Sequence, residues 1–556
     1  MSIEAKDLVL ENVYRWEKEC PQRVYMTQPM GGGPLREYTW AQTVDEARRM
    51  AAHLKSKGYP HGSKIAILSK NCAHFILSDL AIWMAGYVSV ALYPTSSPET
   101  IQYILEHSET KLMFVGKLDN FEAKTMVPEG MPCISYPLSP KTDYPTWDDL
   151  VKSTEPIEGS PTRDKDETAL LIYTSGSTGQ PKGVEHTFAS IVAGPKGAIK
   201  IFNITTNDRF ISYLPLAHVF ERAAVEVATC LAGARLFFAD SLETFVEDIK
   251  RARPTIFHSV PRLWLKFQQG VSAKMPEKKL SLLLKIPILS GIVKNKILEG
   301  LGLDQARFAL SGSAPIPPQL IEWYRRLGLE LLEGYAMTEE FVCSHVSLPG
   351  KSRVGYVGHP MPGVECRISE EGEIQLNTPG LMKSYFKQPE ATKEALTEDG
   401  WLKTGDRGER DEAGRLKITG RVKELFKTSK GKYISPAPIE NILNAHPYIE
   451  MSCVTGSGYA MAFAFVMLSE GLRKDLAAGK ADKAEIESQL KDLLAKVNRS
   501  VEEWERLSSL IIINEEWTIE NDFLTPSMKL KRRTVEDKYG PEMDKWAESK
   551  EKVSWQ

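Results

Sequence analysis

"YTSGSTGQPKG", residues 173–183, sets three glycines, two serines and two threonines around a single lysine, directly after the apolar run "ALLI". Glycine lets a backbone come close to a ligand, hydroxyls donate hydrogen bonds, and lysine adds a compact positive charge. Such a combination cradles phosphate. The nucleoside-triphosphatase pattern G-x-x-x-x-G-K-[ST] is not met, because Pro181 precedes Lys182 and Gly183 follows it. A standard P-loop enzyme is therefore excluded.

Around the cradle, short β-rich runs alternate with segments of helix length. "KIAILS", "KLMFVG", "ALLIYTS", "RLFFA", "TIFHSV" and "RFALSGS" read as buried strands, which predicts βαβ units and largely parallel, helix-covered sheets. The longest apolar stretch, Leu80 to Tyr93, is too short to span a bilayer and reads as a buried helix running into a strand. Near residue 420 the chain turns rich in glycine, lysine and β-formers, and a smaller α/β pattern follows. The expected fold is α/β: a large N-terminal domain over 1–421, a hinge at 422–423 and a small mobile α+β lid over 424–556.

Bulk properties agree with that division. A chain of 556 residues exceeds what one core supports. A net charge of -3 offers no field for nucleic acid. Seven scattered cysteines without a CxxC pair argue for free thiols in a reducing compartment and against a zinc site. "MSIEAKDLVLENVYRWEKEC" has early acidic residues and no apolar leader segment, so the expected location is cytoplasmic, at most peripheral at the inner face of a membrane.

Five more stretches carry chemistry. "SGSAPI" (311–316) and "LLEGYAMTEE" (331–340) each end a strand in a glycine-containing loop, where open α/β sheets bind ligands. "WLKTGDRGERDEAGRLKITGRVKELFK" (401–427) holds a carboxylate suited to bidentate hydrogen bonding. "DFLTPSMKLKRRTVEDKY" (522–539) is strongly basic, and "PLAHVFER" (215–222) sets a histidine beside apolar residues.

With the cradle, these stretches resemble the adenylate-forming superfamily of acyl-CoA synthetases, luciferases and peptide-synthetase adenylation domains, whose phosphate loop has the form [ST]-S-G-[ST]-T-G-x-P-K-G. "PLAHVFER", "SGSAPI" and "LTPSMKLKRR" are similar to its long-chain fatty acyl-CoA synthetase branch. The resemblance implies that Thr174, Ser175, Ser177 and Thr178 wrap the β- and γ-phosphates of ATP, with Gly176, Gly179 and Lys182 in the same loop. It implies Tyr335 stacked on adenine, and Gly312, Ser313, Ala314, Glu333 and Gly334 lining its slot. Thr338 would bond the α-phosphate and Glu339 would hold Mg²⁺, while Glu340 stands where many relatives carry Thr or Ser.

Asp406 is implied at the ribose hydroxyls with Arg421 beside it, Lys423 at the hinge, Lys427 on the nucleotide, and Gly431 next to the pantetheine of coenzyme A. Lys529 is implied as the bridge between the attacking carboxylate and the α-phosphate, with Lys531 as the alternative. His218 would stand at the acyl-site entrance. The implied activity is an AMP-forming ligase that joins a fatty acid to CoA through an acyl-adenylate. The alternatives are loading of a carrier protein, or an aryl or medium-chain acid as substrate. One segment has two readings: "KKLSLLLKIPILSGIVKNKILEGLG" (278–302) forms either a lipid-facing amphipathic surface or helices packed on the N-terminal domain.

Overall fold

The structure, a computed structural model, describes residues 2–174, 180–525 and 528–556. All six β-rich runs named above are strands, at Lys64–Leu68, Leu112–Val115, Thr168–Thr174, Arg235–Phe238, Ile256–Ser259 and Phe308–Ser311. The apolar stretch also behaves as expected. Helix Ala73–Met84 is buried at every position, as its all-round apolar character requires, and Gly86 (φ +89°) turns the chain into strand Val88–Leu92.

Strands at 168–174, 88–92, 64–68, 112–115 and 133–135 run parallel in one seven-stranded sheet, and antiparallel strands Lys182–Thr187 and Ser384–Tyr385 close its edge. A second sheet sets 256–259, 308–311 and 331–335 parallel. The carboxyl ends of strands from both sheets border the cleft described below, where the glycine-rich loops emerge. A smaller mixed sheet lies in the first half of the chain.

The region 365–421 departs from the parallel expectation. It is a four-stranded sheet with every pairing antiparallel. Its strands are half exposed and rich in Arg, Glu and Lys, so they lack the continuous apolar runs by which buried parallel strands announce themselves. After it, the 3₁₀ turn Val422–Glu424 leads into a hairpin and a four-stranded sheet crossed by helix Lys483–Ser500. This second part has its own apolar cores. It meets the first part through an Arg262–Glu450 ion pair and a 2.9 Å bond from the Ser435 hydroxyl to the Thr419 carbonyl.

Helix Phe188–Phe202 presses on the loop that follows residue 340. A Cβ at Gly194 would lie 2.8 Å from the Val342 carbonyl oxygen and 2.9 Å from that of Phe341. Phe341 and Val342 both hold positive φ, 44° and 58°, so this loop stores backbone strain against a helix with no room to retreat. We expect Gly194→Ala to cost roughly 1–3 kcal/mol, read as a lower thermal unfolding midpoint, and to depress activity as well, because Val342 borders the cleft. An unchanged midpoint would show that the helix can shift.

Candidate active site

A cleft of about 2500 Å³ lies between the two parts. It brings together Thr174, Lys182, His218, Gly312, Ser313, Ala314, Glu333, Gly334, Tyr335, Thr338, Glu339, Asp406, Arg421, Lys423 and Lys529. Residues 175–179, which include Ser175, Gly176, Ser177, Thr178 and Gly179, lie outside the described residues. Lys427 and Gly431 are not in the cleft wall. They sit on the hairpin of Phe426–Lys427 with Tyr433–Ile434, where the Lys427 ammonium lies 5.6 Å over the Tyr433 ring.

Asp406 and Arg421 are cross-strand partners, which is why fifteen residues of hairpin return the "GR" arginine to the "TGD" carboxylate. Arg421 Nε donates to Asp406 Oδ1 at 2.9 Å, and the Tyr335 hydroxyl donates to Oδ2 at 2.7 Å. Burial, then the Asp406 charge, raises the Tyr335 pKa, so the phenol remains a donor. One carboxylate thus ties two separate motifs, three side chains in all, to one point of the cleft.

Also in the cleft wall, Glu339 Oε1 accepts a 2.7 Å bond from the Tyr385 hydroxyl, and the Tyr385 ring lies 4.9 Å from the Lys182 ammonium. Glu340 faces inward instead. It is fully buried, and its carboxyl accepts from the backbone N–H groups of Met337, at 2.6 Å, and Cys343. Burial outweighs those bonds and pushes its pKa up to about 8; the same cause raises Glu333 to about 8. The unusual residue beside Glu339 is therefore a cap of the 3₁₀ turn Thr338–Glu340.

In "PLAHVFER", His218 borders the cleft, with its Nδ1 accepting the Phe220 N–H at 3.2 Å, while burial and then Lys529 lower its pKa to about 3. The rest of the octet holds the core together. Glu221 binds His258 Nε2 at 2.8 Å and Ser212 Oγ at 2.8 Å, and Arg222 pairs with Asp79 at 3.0 Å. The chain continues as a π-helical turn, Arg222–Val227, whose Ala223 and Ala224 border the cleft.

Lys529 enters from the second part on a tight loop. Thr525 N–H donates to the Lys529 carbonyl at 2.8 Å, and Leu524 bridges to Leu530. Arg532 anchors the loop, donating at 2.7 Å to both Glu440 Oε1 and the Val454 carbonyl. The Lys529 side chain remains water-accessible, yet protein surrounds it on most sides. That enclosure, then the Arg421 charge, lowers its pKa, and Asp406 and Glu339 act the other way. Lys531 is ion-paired with Asp522, which disfavours it as the alternative.

The family model described as "AMP-binding enzyme" matches residues 13–386, and that of the "AMP-binding enzyme C-terminal domain" matches 424–551. The chain belongs to the AMP-binding enzyme family. It is 29% identical to fatty acyl-CoA synthetase A of Dictyostelium discoideum, over 97% of this chain and 90% of that one. It is 30% identical to long-chain-fatty-acid–CoA ligase 5 of Rattus norvegicus, over 90% and 83% respectively. In fold it is similar to o-succinylbenzoate CoA synthetase from Bacillus subtilis in complex with an acyl-adenylate intermediate, with a TM-score of 0.75 and 24% identity over 95% and 98% of the two chains.

Two residues of this AMP-binding enzyme escaped the sequence reading. Tyr385 lies in "KSYFKQPE", where nothing about a lone tyrosine signals a carboxylate partner. His186 follows the cradle by three residues; its Nε2–H donates to the Thr338 carbonyl at 2.7 Å, and burial holds its pKa near 4, so it stays neutral. Another acid–histidine group, Glu46, His74 and Asp148, lies outside the cleft wall, and Arg36 already bridges its carboxylates at 3.3 and 3.4 Å.

Glu340 carries a pH signature. Its folded pKa stands above the unfolded value, so the stability it contributes is complete below about pH 4.5 and is lost as pH rises through about 8. We expect the thermal midpoint to fall over that window more steeply in the native enzyme than in Glu340→Gln, with Glu333 supplying the residual slope. Parallel curves would show that Glu340 is ionised throughout. We also expect Tyr385→Phe to fold normally and to lose on the order of tenfold in turnover, since it removes one charge-assisted bond to Glu339. Kinetics at varied Mg²⁺ check this: a variant indistinguishable from the native enzyme would remove Tyr385 from the site.

Proposed function

We propose that this AMP-binding enzyme is an ATP-dependent long-chain fatty acid–CoA ligase, working through an acyl-adenylate with release of pyrophosphate and AMP. The carrying observation is Lys529, a water-accessible ammonium held on a loop of one domain at the cleft it shares with the other, near Asp406, Glu339, Arg421 and His218. A fatty carboxylate and an α-phosphate repel each other, and a desolvated cation between them stabilises the charge that builds as they react. The names of its relatives, among them long-chain-fatty-acid–CoA ligases, support the substrate class. So does an apolar cleft wall that includes Phe202, Ile204, Phe210, Ile256 and Met361. Each buried methylene contributes about 0.8 kcal/mol, so a chain of ten would gain on the order of 8 kcal/mol there.

In this reading Tyr335, Gly312, Ser313, Ala314, Glu333 and Gly334 receive the adenine. Asp406 exchanges its Tyr335 and Arg421 partners in part for the ribose hydroxyls. Thr174, Lys182 and the loop 175–179 take the β- and γ-phosphates, and Thr338 takes the α-phosphate. Glu339 offers one carboxylate oriented by a phenol, a donor that suits Mg²⁺ shared with phosphate oxygens. The ion would supply charge neutralisation on the triphosphate.

The fatty carboxylate attacks the α-phosphorus, the bond to pyrophosphate breaks, and the mixed anhydride stays out of water under the closed small domain. The domains then divide at 1–421 and 424–556, with 422–423 as the hinge. Rotation about Lys423 withdraws Lys529 and presents "KTSKGKY", with Lys427 and Gly431, to the pantetheine arm. This accounts for residues that face away from the cleft in the present arrangement. The thiol of CoA attacks the acyl carbon, and AMP leaves.

Pyrophosphate release measured across straight-chain acids, with and without CoA, tests the proposal. We expect saturable activity with medium and long chains, little with acetate, and thioester only when CoA is present. Adenylate that transfers only to a carrier protein would replace CoA as acceptor. We expect Lys529→Ala to lose about 10²–10³ in adenylation and to retain thioester formation from supplied acyl-adenylate. Equal loss of both half-reactions would sink the assigned role.

A further inference from the structure

The hairpin of helices Glu277–Leu284 and Pro287–Leu301 carries more apolar surface than its packing uses. Leu280 and Ile297 join the core that holds Trp264 and Tyr324, with Leu284 and Val293 packed alongside. That inward stripe satisfies the helices. Yet Leu282 is 63% exposed and Ile288 82%, and Ile286, Leu289 and Ile292 are exposed as well. The five cluster around the tip, "LLLKIPIL", where a core-facing requirement cannot explain them.

The charge around the tip is one-sided. Residues 277–301 hold Lys278, Lys279, Lys285, Lys294 and Lys296 against Glu277 and Glu299, in a chain whose net charge is -3. Glu277 is turned away, ion-paired with Arg326 at 2.7 Å and accepting from Trp323 Nε1 at 3.3 Å. Among the described residues the five lysines have no ion-pair partner within 4.0 Å. We propose that this tip is a docking surface for an anionic lipid bilayer: the leucine and isoleucines enter the headgroup–acyl boundary, and the lysine stems reach outward to lipid phosphates. A second copy of the chain fits less well, because self-pairing through this face sets lysine against lysine. Insertion across the bilayer is not involved, since no helix among the described residues is long and apolar enough.

The base of the hairpin, rather than its tip, connects to a helix that reaches the cleft. Glu277 and Ser281 are bonded to Arg326 on helix Pro318–Arg326, and the first residues of that helix, Pro318 and Gln319, line the cleft. One helix therefore separates the lipid-facing surface from the site, so the enzyme would meet its water-insoluble substrate where that substrate dissolves.

Flotation of the full chain with vesicles tests the proposal independently of catalysis. The vesicles are phosphatidylcholine alone, or phosphatidylcholine mixed with phosphatidylglycerol. We expect at least about tenfold more binding to the anionic vesicles, falling as salt rises. Ile288→Ser with Leu289→Ser, and separately Lys285→Glu with Lys294→Glu, should each reduce that binding by about tenfold or more. Their thermal midpoints and their pyrophosphate release with a soluble medium-chain acid should be unchanged. Equal binding by native protein and both variants, or no preference for anionic lipid, would overturn the proposal. So would a dimer in sedimentation velocity that the Ile288/Leu289 variant abolishes, which would assign the face to a second copy.

Discussion

The Arg532 guanidinium, clamped between Glu440 and the Val454 carbonyl, fixes where Lys529 can go. Glu440 also accepts the Val454 N–H, so the clamp fastens a helix, a strand and the lysine loop into one piece. Burying such a pair costs desolvation that only good geometry offsets, and its value here is positional. A lysine on a loose tail would sample many places; one bolted to a sheet goes wherever that sheet goes. An ion pair, Arg262 with Glu450, and the Ser435 hydroxyl bond to the Thr419 carbonyl join the two parts.

Burial silences one acid of the cleft wall, Glu333, and one just behind it, Glu340. Glu333 and Glu340 are raised to about 8 by burial and are largely protonated near neutrality. His186 and His218 are held neutral by the same desolvation. Two carboxylates of the wall, Glu339 and Asp406, each carry a phenol donor, Tyr385 or Tyr335. Against them stand Lys182, Arg421 and Lys529. The balance favours anionic ligands while leaving a carboxylate at each point where one is needed.

Much of this was legible in the sequence wherever function is written as a contiguous run. The cradle, "LLEGYAMTEE", "TGD…GR" and "KLKRR" each fix several residues at once, and Thr174, Lys182, Tyr335, Thr338, Asp406, Arg421 and Lys529 from them converge on one cleft. Residues that act alone were not legible: Tyr385 and His186 reach their partners, Glu339 and Thr338, across 46 and 152 positions of chain. Glu340 could be noticed as unusual, but its inward turn depends on backbone N–H groups that only the folded loop aligns. The antiparallel sheet at 365–421 was hidden because half-exposed strands spend their alternate positions on charge. Lys427 and Gly431 lie on the hairpin of Phe426–Lys427 with Tyr433–Ile434, outside the cleft wall that the other motifs share.

The cysteines supply a last consequence. Five of the seven are buried, and desolvation lifts all seven thiols above their ordinary pKa, Cys343 near the cleft to about 12. An enzyme that generates an activated acyl group beside an incoming thiol runs the hazard of acylating itself. Thiols kept in their undissociated form are poor nucleophiles, which disfavours acylation of these side chains relative to an external thiol.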